Sequence, residues 1–153
     1  MNAANIQWSI REFEELKPSE LYAILQLRNE VFVVEQNCVF QDADDKDQHC
    51  SHLMGWLEGR LVAYTRLVPP GVSYKEPSIG RVITSPLVRR TGAGKELMTR
   101  SIEAVKALYG NIPQRIGAQL YLKNFYSSFG FIVAGDVYLE DGIEHIEMVL
   151  SPS

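Results

Sequence analysis

The amino-acid sequence predicts a mixed α/β (α+β) fold, in which helices interrupt a set of short apolar strands. Two apolar runs, at 52–57 and 61–67, flank a Glu-Gly-Arg turn and predict an antiparallel hairpin. An apolar stripe at helical spacing predicts a helix over 94–109, between apolar strands at 79–84 and 116–120. The predicted order is strand, helix, three strands, helix, strand, helix and two strands, which is not that of a simple doubly wound parallel sheet.

The remaining predicted elements lie toward the two ends of the chain. A helical pattern over 21–34 follows Pro18-Ser19-Glu20, where Ser19 is the expected cap. The other predictions are a strand over 7–12, a helix over 122–129 that Gly130 ends, and strands over 131–138 and 145–150. An exposed edge near Ile146–Leu150 would leave a homodimer open as an option.

The composition indicates one globular domain over residues 1–153, with 46% hydrophobic and 22% charged residues. A net charge of −4 argues against a nucleic-acid partner, because binding phosphates needs a basic face. No apolar run approaches the roughly 18 residues of a membrane span, and no signal peptide is evident. Cys38 and Cys50, the only cysteines, make no disulfide framework, so we expect a cytoplasmic protein without a membrane partner.

The stretch RRTGAGKEL, at 89–97, joins a predicted strand to a predicted helix. Gly92 and Gly94 allow a sharp turn and a close approach of a ligand to the backbone. The free N–H groups and the dipole of a helix start favour an anion, and Arg89 or Lys95 adds positive charge. The stretch therefore predicts a phosphate-binding loop, and from these residues alone a turn without a ligand stays an equal alternative.

Two common nucleotide-binding patterns do not fit this loop. A Walker loop needs glycine where Arg89 stands and serine or threonine where Glu96 stands. A dinucleotide-binding fingerprint needs a third glycine where Leu97 stands. ATP is therefore not the expected ligand.

The pattern R-x-x-G-x-G at 89–94, after an apolar strand, resembles motif A of the GNAT superfamily of acetyl-coenzyme A-dependent N-acetyltransferases. In that superfamily the loop holds the pyrophosphate of coenzyme A through backbone N–H groups. The resemblance implies that the pyrophosphate is lined by Arg89, Arg90, Gly92, Ala93, Gly94 and Lys95. It also implies cofactor contacts from the strand Val82-Ile83-Thr84, where the backbone of Val82 and Thr84 pairs with the pantetheine arm.

A second stretch, FYSSFGF at 125–131, resembles motif B of the same superfamily. The tyrosine of that motif commonly acts as the general acid, which implies this role for Tyr126. The alternative is that Tyr126 only packs within an aromatic cluster. The usual asparagine seven residues before the tyrosine is Gln119 here, and the resemblance implies that Gln119 hydrogen-bonds the cofactor.

The resemblance becomes closer over residues 28–148, where several stretches are similar, in order, to the ElaA-like subgroup of GNAT proteins. Examples are RNEVFVVEQNC at 28–38, RLVPPG at 66–71 and YLEDGIEHIEM at 138–148. Glu144 and the pair Arg90-Thr91 depart from the subgroup pattern. The resemblance implies the GNAT fold, a mixed and mostly antiparallel sheet of six to seven strands flanked by about four helices.

Acetyl transfer to an amine needs a group that removes a proton, because amines with a pKa near ~10 are protonated at neutral pH. Glu35, His52 and His145 are the candidate bases. Each also has a structural interpretation: Glu35 as a solvated charge at a helix end, and the two histidines as residues at strand starts. For any single candidate the structural interpretation is the better one.

The acidic run Asp42, Asp44, Asp45 and Asp47 would attract a cationic amine or would simply form a solvated loop. It lacks the glycine of a calcium-binding loop. Cys38, His49, Cys50 and His52 do not have the spacing of a zinc finger, so we expect no metal.

These observations predict transfer of an acetyl group from acetyl-coenzyme A directly to a primary amine of a small molecule or peptide. The first alternative is a coenzyme A-binding regulatory module that does not turn over. The second is transfer of a longer acyl chain, which depends on the volume of the pocket and cannot be read from sequence.

Overall fold

The first of two four-stranded sheets is fully antiparallel and has the strand order β1-β2-β3-β4 in the computed structural model, which describes residues 2–153. Its strands are Gln7–Glu12 (β1), Ser51–Leu57 (β2), Arg60–Val68 (β3) and Ser78–Thr84 (β4). The predicted hairpin is β2 and β3. Its turn residues Glu58 and Gly59 both have positive φ, 51° and 79°, as a tight two-residue hairpin turn requires.

The second sheet is built around the last strand of the chain. Its strands are Gln114–Gln119 (β5), Ile132–Val133 (β6), Tyr138–Glu140 (β7) and Ile143–Leu150 (β8). One edge of β8 pairs with β5 from His145 to Leu150, and the other pairs with β7 up to His145 and with β6 at Met148 and Val149, so both edges of β8 are occupied. The predicted exposed edge near Ile146–Leu150 is therefore wrong, and it provides no route to a homodimer.

Three α-helices accompany the sheets: Pro18–Arg28 (α1), Ala93–Tyr109 (α2) and Lys123–Ser127 (α3). A wider π-helical segment, Asn29–Glu35, extends α1, and we call residues 32–36 the end of α1. Short 3-10 turns occupy several connections. The α+β class is confirmed, although the described residues contain eight strands and three α-helices instead of the predicted six to seven strands and about four helices.

Two local predictions differ from the structure. α1 begins at Pro18, and its start is capped by the Glu20 carboxylate, which accepts a 2.8 Å hydrogen bond from the Lys17 N–H, so Ser19 is not the cap. The strand predicted over 131–138 is divided into β6 and β7. Ala134 still donates a 2.9 Å hydrogen bond to Glu147, but the chain then leaves the ladder until Tyr138.

Two apolar clusters hold the layers together. α2 packs Leu97, Met98 and Val105 against buried residues of β3, β4, β5 and β8, so this cluster joins the two sheets. α1 packs Ile24 and Leu27 against the first sheet, in a second cluster. None of the helices in residues 2–153 has the length and apolarity that a membrane span requires.

β4 and β5 lie side by side near their N-terminal ends and then diverge. Near their N-terminal ends the Arg115 N–H donates a 3.0 Å hydrogen bond to the Pro77 carbonyl, and no ladder between the two strands follows among the described residues. A cleft of about 1210 Å³ opens there, lined by both strands, the end of α1 and the loop before β2.

A buried network of charges fixes the loop before β2 against the cleft. We call it the arginine–aspartate network. Each of its aspartates binds two of its arginines at 2.7–3.4 Å. Its members are Arg28, Arg66, Arg81, Asp42, Asp44 and Asp47. Three of the four acidic residues predicted to attract an amine are therefore neutralised inside the protein.

The arginine–aspartate network makes the free energy of unfolding depend on pH. Burial alone would raise the pKa of Asp44, but the hydrogen bonds and charge of Arg66 outweigh burial and lower that pKa to about 2, from an ordinary 3.8. Because the folded pKa is depressed, this stabilisation is complete above pH 4 and is lost as the pH falls toward 2.

We therefore expect the free energy of unfolding, measured by urea titration, to fall between pH 4 and pH 2 less steeply in Asp44→Asn than in the wild type. The exposed neighbour Asp45 provides the control, and Asp45→Asn should keep the wild-type slope. Equal slopes in all three proteins would contradict the contribution of Asp44.

Candidate active site

The glycine-rich loop lies at the C-terminal end of β4, at one end of the cleft. Arg90 and Gly92 have positive φ, 64° and 89°, and turn the chain so that α2 begins at Ala93. The first N–H groups of a helix have no partner within it, so this helix start offers donors to an anion. Of the ten predicted cofactor-binding residues, those that line the cleft are Val82, Ile83, Thr84, Arg89, Arg90, Gly94 and Gln119.

The other three, Gly92, Ala93 and Lys95, belong to the same helix start but do not line the cleft. Ala93 is buried in a third apolar cluster with Val62 and Val88. Its side chain therefore anchors the loop, while its backbone N–H remains at the helix start.

Arg89 forms a two-pronged ion pair with Glu35. Both guanidinium N–H···O distances are 2.6 Å, and Arg89 also donates to the Thr84 carbonyl at 3.3 Å. The hydrogen bonds from Arg89 lower the pKa of Glu35. A predicted base and a predicted cofactor-binding residue are thus bound to each other.

Gln119, at the end of β5, is also bound by a side chain from the end of α1. Its side-chain amide exchanges two hydrogen bonds with that of Gln36, at 3.1 and 3.3 Å. Glu35 and Gln36 are consecutive, so the end of α1 contacts two of the predicted cofactor-binding residues.

Tyr126 lies on α3, where it lines the cleft and is 5% exposed. Its ring packs edge-on against Phe125 and Phe131, at centroid distances of 5.2 and 6.2 Å. In the described part of the chain no side chain or backbone group forms a hydrogen bond with its hydroxyl. Burial raises the pKa of Tyr126, so the hydroxyl keeps its proton throughout the physiological range.

His145 lies on β8 and lines the same cleft. Its Nδ1 is 2.7 Å from the Ile143 carbonyl. A carbonyl only accepts, so Nδ1 donates to it, and in the neutral imidazole Nε2 is the nitrogen that accepts a proton. Nε2 is 3.6 Å from Oε2 of Glu140, and the ring stacks on Tyr138 at 5.7 Å.

His52, the remaining candidate base, is 1% exposed and has both nitrogens occupied. Its Nε2–H donates to the Asp47 carbonyl at 3.0 Å, so Nδ1 accepts from the Tyr64 hydroxyl at 2.6 Å. Burial lowers the pKa of His52. The expected structural role, as a residue bound to the acidic loop, is the one that the geometry gives it.

Tyr74 and Tyr138 bring their hydroxyls together over Gly117, a feature that sequence reasoning missed. A Cβ atom at Gly117 would lie 2.7 Å from the Tyr138 hydroxyl and 2.9 Å from that of Tyr74. All three residues line the cleft. A glycine inside a strand often marks such a close approach, and this was the available signal.

Neither cysteine has the surroundings of a catalytic nucleophile. The Cys38 thiol donates to the Asp141 carbonyl at 3.3 Å and the Cys50 thiol to the Lys46 carbonyl at 3.1 Å. Burial raises the pKa of Cys50 to about 11, which keeps that thiol protonated. Across residues 2–153 no group of three or more acidic, histidine or cysteine side chains is arranged to hold a metal ion.

Comparison with known proteins identifies the family. The acetyltransferase (GNAT) domain family matches residues 20–152. Protein ElaA of Escherichia coli is 45% identical over 145 residues, which are 94% of this chain and 95% of that protein.

Solved structures agree with this match. An acyl-CoA N-acyltransferase from Pseudomonas aeruginosa has a TM-score of 0.91 at 41% identity, and Escherichia coli ElaA has a TM-score of 0.89 at 43% identity. Each alignment covers 95% of this chain and 99% of the other. An aminoglycoside 6′-N-acetyltransferase solved with coenzyme A shares the fold, with a TM-score of 0.69 at 15% identity over 94% of this chain and 96% of the other.

The predicted resemblance is confirmed by these relatives and by the cleft between β4 and β5. The chain belongs to the GNAT acetyltransferase family and, within it, to the group of ElaA-like proteins.

Proposed function

We propose that the protein transfers an acetyl group from acetyl-coenzyme A directly to a primary amine. One observation carries the proposal. A single cleft is lined by Arg89, Arg90 and Gly94 at the start of α2, by Tyr126, and by His145, whose Nδ1 is engaged by the Ile143 carbonyl. These are the parts that acyl transfer requires: a site for the cofactor, an acid and a base.

The cofactor is coenzyme A, which serves as acetyl-coenzyme A in the reaction. Its pyrophosphate fits the start of α2, where Arg89 and Arg90 line the cleft and Gly94 leaves the backbone uncovered. A Cβ at Gly94 would meet only Thr84, at 4.0 Å. Within residues 2–153 the side of β4 that faces β5 pairs with no strand, so its backbone groups are available to the amides of the pantetheine arm.

The reaction begins when the amine lone pair attacks the thioester carbonyl carbon. A backbone N–H of β4 is the expected donor to the resulting oxyanion. The carbon–sulfur bond then breaks, and the departing thiolate takes a proton from the Tyr126 hydroxyl. Burial raises the pKa of Tyr126, which keeps the hydroxyl protonated before the reaction and makes it a weaker acid toward the thiolate. The phenolate regains its proton from solvent before the next turnover.

His145 is the proposed base. Nε2, which is not engaged by the hydrogen bond from Nδ1 to Ile143, takes the proton that an ammonium acceptor must lose before its lone pair can attack. After the attack the nitrogen loses a second proton to water. Glu140, at 3.6 Å from Nε2, stabilises the imidazolium that forms. Glu35 is the weaker candidate, since its carboxylate is held by Arg89 and a lowered pKa makes it a poorer proton acceptor.

The acceptor amine is proposed to enter beside Tyr74 and Tyr138, on the wall formed with Gly117. The amine is that of a small molecule or of a peptide. The length of the acyl chain depends on the space between β4 and β5, so longer acyl groups are the alternative to acetyl.

The proposal is tested by thermal unfolding with coenzyme A, acetyl-coenzyme A or ATP, followed by a thiol-release assay over polyamines, amino acids and peptide amines. We expect coenzyme A and acetyl-coenzyme A, but not ATP, to raise the melting temperature, since a ligand that binds only the folded state stabilises it. Stabilisation without turnover on any amine would favour the binding module. No stabilisation by either form of the cofactor would contradict the proposal.

Tyr126→Phe should lower kcat by about 10²- to 10⁴-fold, the usual contribution of a general acid, because it removes only the hydroxyl. Coenzyme A binding, measured by calorimetry, should stay within about twofold of wild type since the ring and its packing remain. Tyr22→Phe, at a tyrosine that is 72% exposed, is the matched control. A full kcat in Tyr126→Phe would assign Tyr126 to packing alone.

His145→Gln should lower kcat/KM by about 10²- to 10⁴-fold at neutral pH, because water must then accept the proton. The deficit should shrink as the pH rises toward ~10, the pKa of a simple amine, where the acceptor is already neutral. His49→Gln changes an exposed histidine and serves as the control. A deficit that is constant over pH would indicate a structural role for His145.

Gly117→Ala should displace both tyrosine hydroxyls, since its methyl group would overlap them. We expect a higher KM for the amine and an unchanged affinity for coenzyme A, both measured with the purified variant. Gly135→Ala provides the comparison, because a Cβ there meets nothing within 4 Å. An unchanged amine KM in Gly117→Ala would remove the tyrosine pair from the acceptor site.

A further inference from the structure

We infer that the end of α1 is a latch that competes with coenzyme A for its binding groups. The latch consists of Glu35 and Gln36, which bind Arg89 and Gln119. The inference rests on the proposed function, because it takes Arg89 and Gln119 as cofactor-binding residues. It adds that the protein itself supplies a ligand for both of them.

The Glu35 carboxylate binds Arg89 in the way that a phosphate group would. A guanidinium binds a carboxylate or a phosphate through a parallel pair of N–H groups, and each such pair holds one anion. Glu35 occupies the Nη1–Nη2 pair of Arg89, with both N–H···O distances at 2.6 Å, and Nη2 also donates to the Thr84 carbonyl, so only single N–H groups of Arg89 stay open to a pyrophosphate. The pyrophosphate must therefore displace Glu35, or bind without the fork of Arg89.

The contact to Gln119 is independent of charge. Each amide donates once and accepts once, so the pair satisfies a donor and an acceptor on both side chains. Gln119 keeps one N–H and one oxygen lone pair, so the cofactor competes with Gln36 only for the donor and the acceptor that Gln36 occupies. Two adjacent residues thus occupy two cofactor groups that come from different elements, the loop after β4 and the end of β5.

The latch side chains reach solvent, although the segment that carries them is anchored before and after them. Arg28 and Val31 are buried and keep α1 in place, whereas Glu35 is exposed and Gln36 is half-buried. The hydrogen bonds of the π-helical segment end at Cys38, whose N–H donates to the Val33 carbonyl at 3.0 Å. Release of the latch would leave a free carboxylate on the wall of the cleft, since Glu35 lines it.

The effect on affinity is modest because the ion pair is accessible to water. The side chains of Arg89 and Glu35 are 39% and 42% exposed, and pairs of this kind change an equilibrium by about 1.5- to 5-fold. The latch therefore tunes the affinity for the cofactor and does not abolish binding.

The test is calorimetric titration of coenzyme A into the wild type, Glu35→Gln, Gln36→Ala and Glu30→Gln. Glu30 is an exposed carboxylate on the same segment, and it makes no hydrogen bond to Arg89 among the described residues. Glu30→Gln therefore reports the effect of removing one negative charge near the site. We expect Glu35→Gln to bind coenzyme A about 1.5- to 5-fold more tightly than Glu30→Gln, and Gln36→Ala to bind more tightly than wild type.

The other outcomes separate the latch from the proposed function. If wild type binds coenzyme A but Glu35→Gln gains no more than Glu30→Gln, the latch is overturned and the transferase is unaffected. Weaker binding by Glu35→Gln would also overturn it, because Glu35 would then be positioning Arg89 for the cofactor. Failure of the wild type to bind coenzyme A would overturn both.

Discussion

Two neighbouring strands, β4 and β5, share one hydrogen bond near their start and then separate, and this gap forms the cleft that most of the candidate site residues line. Backbone groups inside a protein need partners, so an opening between adjacent strands has to be held apart by the structure around it. Here α2 and its apolar cluster join the two sheets on one side of the gap. The other side carries the end of α1 and the loop before β2, which leaves room for a ligand between the layers.

A bulge in β4 connects the gap to the arginine–aspartate network. The register with β3 shifts between Tyr64 and Arg66, and opposite this point Arg81 has a φ of 50°, an unfavourable value for a residue with a side chain. The Arg81 guanidinium donates to the Asp42 carboxylate at 2.8 Å and to the Asp42 backbone carbonyl at 2.9 Å, and these hydrogen bonds hold Arg81 in place. The same aspartate binds Arg28 of α1, so one carboxylate joins the strand, the loop and the helix.

The sequence predicted the parts of the site that are local in the chain. The loop at 89–97 and the stretch 125–131 could be found because their glycines and aromatic residues stand at short, fixed spacings. Most helices and strands were found for the same reason, since apolar periodicity is a local signal. The division of the strand predicted over 131–138 was missed because pairing with β8, and not the apolar pattern, decides where β6 ends.

What could not be predicted depends on contacts between distant parts of the chain. Arg28 and Asp47 are nineteen residues apart, and Arg89 and Glu35 fifty-four, and no spacing rule joins them. The sequence offered Glu35 as a candidate base or as a solvated charge at a helix end, but the guanidinium that binds it comes from the glycine-rich loop. Likewise, a side chain at position 117 is excluded by two tyrosines that lie elsewhere in the chain, so the need for Gly117 could not be read from its neighbours in sequence.

The loop before β2 alternates between inward and outward residues, and this alternation separates two effects of a substitution. Asp42 and Asp44 face inward and hold the network, whereas the residues between and beside them, Gln41, Ala43 and Asp45, are exposed. A substitution at an inward position breaks ion pairs that fix the loop against the cleft. A substitution at an outward position changes the surface that the loop presents to solvent and leaves those ion pairs in place.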